Sequence, residues 1–199
     1  MTPEELKKFC AYDDDCRFCL QEPFSLGEYT YATNGHIMVR VPRIQLEDAE
    51  RSKEAAKHYG ERVERMFSER RPKDRLQVPH VELLPPVECE WCGGSGQDPK
   101  CHECKGTGEI EFSNSWSDYE AQCKTCNGGG HFTGLCDWCD GTGKKEVLQR
   151  MAVGSGYYQS KYLALLATLP NCWISPDGEN TAPFGFYGGE GLLMPCSEL

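Results

Sequence analysis

The sequence predicts an α+β protein, a scaffold of helices and antiparallel sheet interrupted by a cysteine-rich insert, on three observations. Four segments between residues 89 and 143 repeat the pattern Cys-x-x-Cys-x-Gly-x-Gly. Asn34 and Gly35 separate two runs rich in aromatic and β-branched residues, and this dipeptide supplies the positive φ angles of a tight hairpin. Apolar residues recur at helical spacing on both sides of the insert, around residues 56–67 and 162–169.

Taken in order, Thr2 as N-cap, Pro3 at the first helical position and Glu5 closing a capping box predict a short helix through Leu6, Phe9 and Cys10. Residues 27–33 and 36–41 form the hairpin, with Ile37, Val39 and Val41 sharing one face. From 47 to 71 nearly every residue favours a helix. Ala56, Tyr59, Val63 and Met66 or Phe67 make a narrow apolar stripe, and seven acids balance seven bases. Pro72, Pro79, Pro85 and Pro86 then break the chain, leaving a short strand at 81–84 before a boundary near Val87. Beyond Lys145, residues 147–153 read as a strand. Ser160 reads as the cap of a helix with Tyr162, Leu165, Leu166 and Leu169 on its apolar face, ended by Pro170. Trp173 with Ile174 and residues 184–187 read as strands, and residues 188–191 as the turn into Leu192, Leu193 and Met194. The scaffold thus spans residues 1–87 and 145–199, and the insert residues 88–144.

The repeats place Cys89, Cys92, Gly94 and Gly96; Cys101, Cys104, Gly106 and Gly108; Cys123, Cys126, Gly128 and Gly130; and Cys136, Cys139, Gly141 and Gly143 at identical offsets. A Cys-x-x-Cys turn aims two thiolates at one tetrahedral ion, and two turns complete a four-cysteine site with zinc–sulfur distances of about 2.3 Å. Eight thiolates predict two Zn²⁺ per chain, in closed sites with no position for water and therefore structural. Iron–sulfur clusters also take four cysteines; the paired spacing and the repeated glycines favour zinc. Those glycines let the chain bend back after the second ligand and let backbone amides approach sulfur.

Of 199 residues, 39% are hydrophobic and 26% charged, ordinary values, but 13 cysteines and 21 glycines are not. No apolar run approaches the roughly 18 residues of a membrane span, and residues 1–5 have neither the basic nor the apolar region of a secretion signal. The expected compartment is the cytosol, where dense cysteine pairs hold metal rather than disulfides. A net charge of −10 disfavours nucleic acid, whose affinity comes mainly from Lys and Arg. There is no nucleophile elbow, phosphate loop or His-Glu-x-x-His motif, and the expectation is a protein that is not an enzyme.

Residues 89–143 resemble the cysteine-rich domain of the DnaJ co-chaperones at all sixteen Cys and Gly positions. The resemblance implies an extended β-hairpin platform in which outer repeats share one zinc and inner repeats the other. Cys89, Cys92, Cys136 and Cys139 would then hold the first ion, and Cys101, Cys104, Cys123 and Cys126 the second. The chain has no His-Pro-Asp tripeptide and no Gly/Phe-rich linker before the repeats, so the expectation is a zinc platform for protein contacts rather than a co-chaperone. A second resemblance lies in the flanks. Residues 31–40, around Asn34, Gly35 and His36, look like a hairpin of bacterial DNA polymerase sliding clamps. Residues 162–166 and 192–195 look like a clamp helix and the closing Met-Pro segment. This implies a clamp-like scaffold.

Trp91 and Trp138 occupy equivalent places in the first and fourth repeats, and with Trp116, Phe112 and Phe132 they are candidate partner anchors or covers for the metal sites. Cys16 and Cys19 form a further Cys-x-x-Cys that, with Cys172, Cys196 or a histidine, would bind a third metal or act as a redox pair; the plainer alternative is two half-buried small residues. His36, His58, His80, His102 and His131 lack a partner motif. Three functions follow: a zinc-stiffened adaptor for an unidentified protein partner, a clamp-like replication accessory, and a chaperone-like or thiol-disulfide oxidoreductase. The adaptor leads, because the acidic balance leaves no basic stripe and metal ligation quenches most thiols.

Overall fold

The structure, a computed structural model, describes residues 1–11, 20–47, 49–97, 100–130, 134–178 and 180–197. It is a mixed helix and antiparallel-sheet protein that divides into two compact units, Met1–Leu83 with Leu148–Leu199, and Leu84–Val147. Along the chain, α1 (Pro3–Lys7) starts on the capping box: the Glu5 amide donates to Thr2 Oγ1 at 3.3 Å and the Thr2 amide to Glu5 Oε2 at 2.7 Å. Then come β1 (Phe24–Leu26), β2 (Tyr29–Thr33) and β3 (Ile37–Pro42). The strand expected from residue 27 begins later, because Gly27 turns at φ +55° between β1 and β2. Between β2 and β3, Asn34 Oδ1 accepts from the amides of His36 and Ile37 at 3.0 and 3.1 Å. In β3, Ile37, Val39 and Val41 are buried and Met38 and Arg40 half-buried.

Helix α2 (Ala49–Glu69) lays Ala55 and Val63 against Phe24 and Tyr31, with Ala56, Tyr59 and Phe67 packed around them. The Arg40 guanidinium lies 4.4 Å from the Tyr29 ring centre and 4.0 Å from that of Phe67, and its Nε donates to Glu190 at 2.8 Å. Strand β4 is Leu76–Gln77. The strand expected at 81–84 does not form; it lies among prolines, which offer no amide to a ladder.

The second unit contains β5 (Val87–Glu88), β6 (Glu109–Ser113), β7 (Asp118–Gln122) and β8 (Lys144–Lys145). Strand β5 pairs with β8 and β6 with β7, each pair a separate two-stranded sheet. Val87 and Lys145, placed by sequence at the scaffold's edges, face each other across this neck.

The chain returns through β9 (Arg150–Val153), β10 (Gly156–Gln159), α3 (Ser160–Ala167), β11 (Trp173–Ile174), β12 (Ala182–Phe186) and β13 (Gly189–Leu193). Ser160 is not the cap: it is the first helical residue, Gln159 holds the cap position without a side-chain bond, and the Ser160 amide donates to the Gln149 carbonyl at 2.8 Å. The glycine turn also shrinks, since Gly189 already belongs to β13. A Cβ on Gly191 would strike the Phe184 ring and the Met38 carbonyl, so the strand needs glycine there. The main sheet runs β1-β2-β3-β13-β12-β11-β4, antiparallel throughout. Its core gathers Leu6, Phe9, Val39, Leu163, Leu166 and Phe184. Among the described residues, no helix is long and apolar enough to cross a membrane.

Candidate metal centres

Each repeat folds its two cysteines onto one knuckle, and the knuckles meet in pairs. Cys89, Cys92, Cys136 and Cys139 form one cluster and Cys101, Cys104, Cys123 and Cys126 another, the sulfurs of each lying within 4.8 Å of one another. The pairing is reciprocal in the backbone. Cys89 N–H donates to the Gly143 carbonyl at 2.9 Å and Cys136 N–H to that of Gly96 at 3.0 Å. In the inner pair, Cys101 N–H reaches Gly130 and Cys123 N–H reaches Gly108, both at 2.8 Å. The first cysteine of one repeat is thus tied to the last glycine of its partner.

The donor set fits a single tetrahedral ion. Metal–sulfur bonds of about 2.3 Å give a tetrahedron with sulfur–sulfur edges of about 3.8 Å. The structure shows 4.0 Å for Cys89–Cys136, 3.7 Å for Cys92–Cys139, 3.7 Å for Cys101–Cys123 and 3.6 Å for Cys104–Cys126. A disulfide brings its sulfurs to about 2.05 Å, and all these cysteines are unbridged. A polynuclear cluster would spread its thiolates over several irons; these sulfurs are close enough to share one ion. The two groups of four cysteines can therefore hold two metal ions.

The glycines do two jobs. The amides of Gly96, Gly108 and Gly130 donate to the sulfurs of Cys92, Cys104 and Cys126 at 3.3 Å, and Gly143 to Cys139 at 3.2 Å, the outer bonds that stabilise thiolate ligands. In addition, a Cβ on Gly96 would fall under 3.0 Å from the Gly141 carbonyl oxygen, and one on Gly143 equally close to Gly94. The inner pair repeats this with Gly108 and Gly130. The thiols alone already separate. Burial raises Cys92, but the Gly96 amide and neighbouring thiols outweigh it and bring the group down to about 6. Cys104 falls to about 6 in the same way, with amides from Gly106 and Gly108. Burial dominates at Cys136 and Cys123, pushed up to about 12 and about 11.

Trp91 and Trp138 stack on each other, ring centres 5.4 Å apart at 17°, and remain 39% and 58% exposed. Lys145 Nζ lies 4.2 Å from the Trp138 ring centre. Trp116, 91% exposed, sits in the turn between β6 and β7. Phe132, His131, Cys16 and Cys19 lie outside the described residues. Burial pushes Cys10 and Cys172 up to about 12, which disfavours their thiolates. The rings of His36, His58 and His102 lie beside Tyr162, Tyr59 and Trp91 respectively.

One feature of the first unit escaped the sequence. A pocket of about 250 Å³ opens between α2 and the β3–β13 pair, lined by Thr33, His36, Met38, Arg62, Met66 and Met194 among others. Neither a protein-family model nor a curated protein matches the chain.

Proposed function

We propose that this protein is a non-enzymatic adaptor whose insert, a DnaJ-type cysteine-rich module, is held rigid by two structural zinc ions so that it can present a surface to another protein. The observation that carries the reading is the closed donor set: four sulfurs per centre, close enough to share one ion, with amides already bonded to them. Zinc supplies cross-linking there, joining repeats distant in sequence, and leaves no position for substrate or water. The protein-binding part rests on the stacked, exposed Trp91 and Trp138, since aromatic anchors dominate interface energies. Charge favours protein over nucleic acid. Residues 89–143 hold nine acids and three bases, 3 − 9 = −6, and eight thiolates less two Zn²⁺ add about −4. A cytosolic setting suits eight thiolates kept reduced.

The test combines metal analysis with nucleic-acid binding. About two zinc per chain and no salt-sensitive DNA binding are expected; iron with sulfide, or micromolar DNA affinity falling steeply with salt, overturns the reading.

A second reading, a sliding-clamp-like replication accessory, is favoured by one observation. The two clamp-resembling blocks meet: the Met194 amide donates to the His36 carbonyl at 2.8 Å, the His36 and Tyr162 rings stack at 6.1 Å, and His36 and Met194 line the same pocket. Binding of a DNA polymerase that is lost on Met194→Trp, at the pocket's exposed rim, would support it.

A further inference from the structure

Strands β6 and β7 form a ribbon whose register sorts its side chains by chemistry. Glu109 faces Gln122, Glu111 faces Glu120 and Ser113 faces Asp118, while Ile110 faces Ala121 and Phe112 faces Tyr119. Side chains alternate across a ribbon, so one face carries Glu109, Glu111, Asp118 and Glu120 and the other carries the apolar pairs. Residues 109–122 contain those four acids and no base. Glu111 and Glu120 stand directly opposite each other, an arrangement that destabilises a sheet. The apolar face is also open: Phe112 and Tyr119 stack at 5.2 Å and 11° yet are 55% and 45% exposed. Among the described residues no third strand joins either edge, and open edges are templates for pairing.

We infer that this ribbon is a docking site for an extended segment of a partner protein in which basic and apolar residues alternate, added to one edge as a third strand. Backbone pairing on the edge supplies affinity and alternate side chains supply specificity. The partner's apolar residues extend the Phe112–Tyr119 face, and its Lys or Arg residues neutralise the repulsion between Glu111 and Glu120. Charge decides the occupant: a second copy would set four acids against four acids, whereas a basic strand relieves them. The inference rests on the protein-binding reading above and names the partner's chemistry.

The experiment uses the full-length, zinc-loaded protein and a labelled synthetic peptide of about seven residues alternating Lys and Val, a strand's usual length. Binding is read by fluorescence anisotropy and by hydrogen exchange over residues 109–122. The alternating peptide should bind and slow exchange there, and doubling as Glu111→Gln with Glu120→Gln should weaken it about tenfold at low salt, with the gap narrowing in high salt. A scrambled peptide of equal composition, and one N-methylated along one edge, should both fail. Equal binding of either peptide, or self-association through the ribbon, overturns the inference. So does the Gln pair leaving affinity unchanged while zinc stays at its wild-type level. Failure here with zinc content and DNA results as expected removes only the ribbon and leaves the adaptor standing.

Discussion

The sulfurs of Cys92 and Cys139 lie 3.7 Å apart although 47 residues separate them in the chain. Each belongs to a different repeat, so the two residues report on one ion. Cys92→Ser and Cys139→Ser are each expected to lose one zinc of two, and the double variant no more than one. Cys92→Ser combined with Cys104→Ser should lose both. Metal analysis after gel filtration decides this, and additive loss in the Cys92/Cys139 double variant would reject the nested pairing.

Gly96→Ala and Gly143→Ala should each damage the first centre, because the added methyl meets a carbonyl oxygen and the backbone is left-handed, with φ of +72° and +71°. The left-handed conformation alone costs about 1–2 kcal/mol for a residue with a Cβ, and the collision adds to it. Gly134→Ala, with open space around its Cβ, should stay within about 0.5 kcal/mol of wild type. Zinc affinity by chelator competition and thermal melting should place both Gly96→Ala and Gly143→Ala well below Gly134→Ala.

Chelation should unfold residues 84–147 first. Outside the cysteine clusters the described residues of that unit form little core, whereas the scaffold keeps its own, and metal binding in such modules is folding energy. Limited proteolysis with chelator should cut between residues 84 and 147 while the scaffold resists; simultaneous loss of both would show the units melt together.

The scaffold should weaken in alkali. Burial raises Cys10 and Cys172 from 9.0 to about 12 and Tyr158 from 10.0 to about 12. The folded state therefore keeps protons that the unfolded chain releases. This stability is fully present below pH 9 and is lost as pH rises towards 12. Tyr158 is fully buried and its hydroxyl has no hydrogen-bond partner among the described residues. Tyr158→Phe should gain about 1 kcal/mol and flatten the alkaline loss, read by urea unfolding at two pH values. A less stable variant would mean the hydroxyl is satisfied.

The candidate metal ligands were legible because a Cys-x-x-Cys turn is a local object, and so were the Thr2 capping box and the Asn34 turn, whose bonds span three residues or fewer. What escaped depends on partners far along the chain. The contact between Gly96 and the Gly141 carbonyl exists only once the first and fourth repeats pair. Strand β10 is four residues long, too short for its alternation to register, and β4 has no apolar pattern, because its partner β11 defines it. The opposition of Glu111 and Glu120 likewise follows from ribbon register, which the intervening turn sets.

The pairing of Val87 with Lys145 bears on how the scaffold itself comes together. To reach β9 from β4, the chain must close a loop of about seventy residues when the insert is unfolded, but one of about a dozen once Val87 and Lys145 are paired. About two and a half halvings of loop length are worth roughly 1.5 kcal/mol of chain entropy. Metal supply to the two cysteine clusters would thereby become a folding variable for the scaffold, although both clusters belong to the other unit.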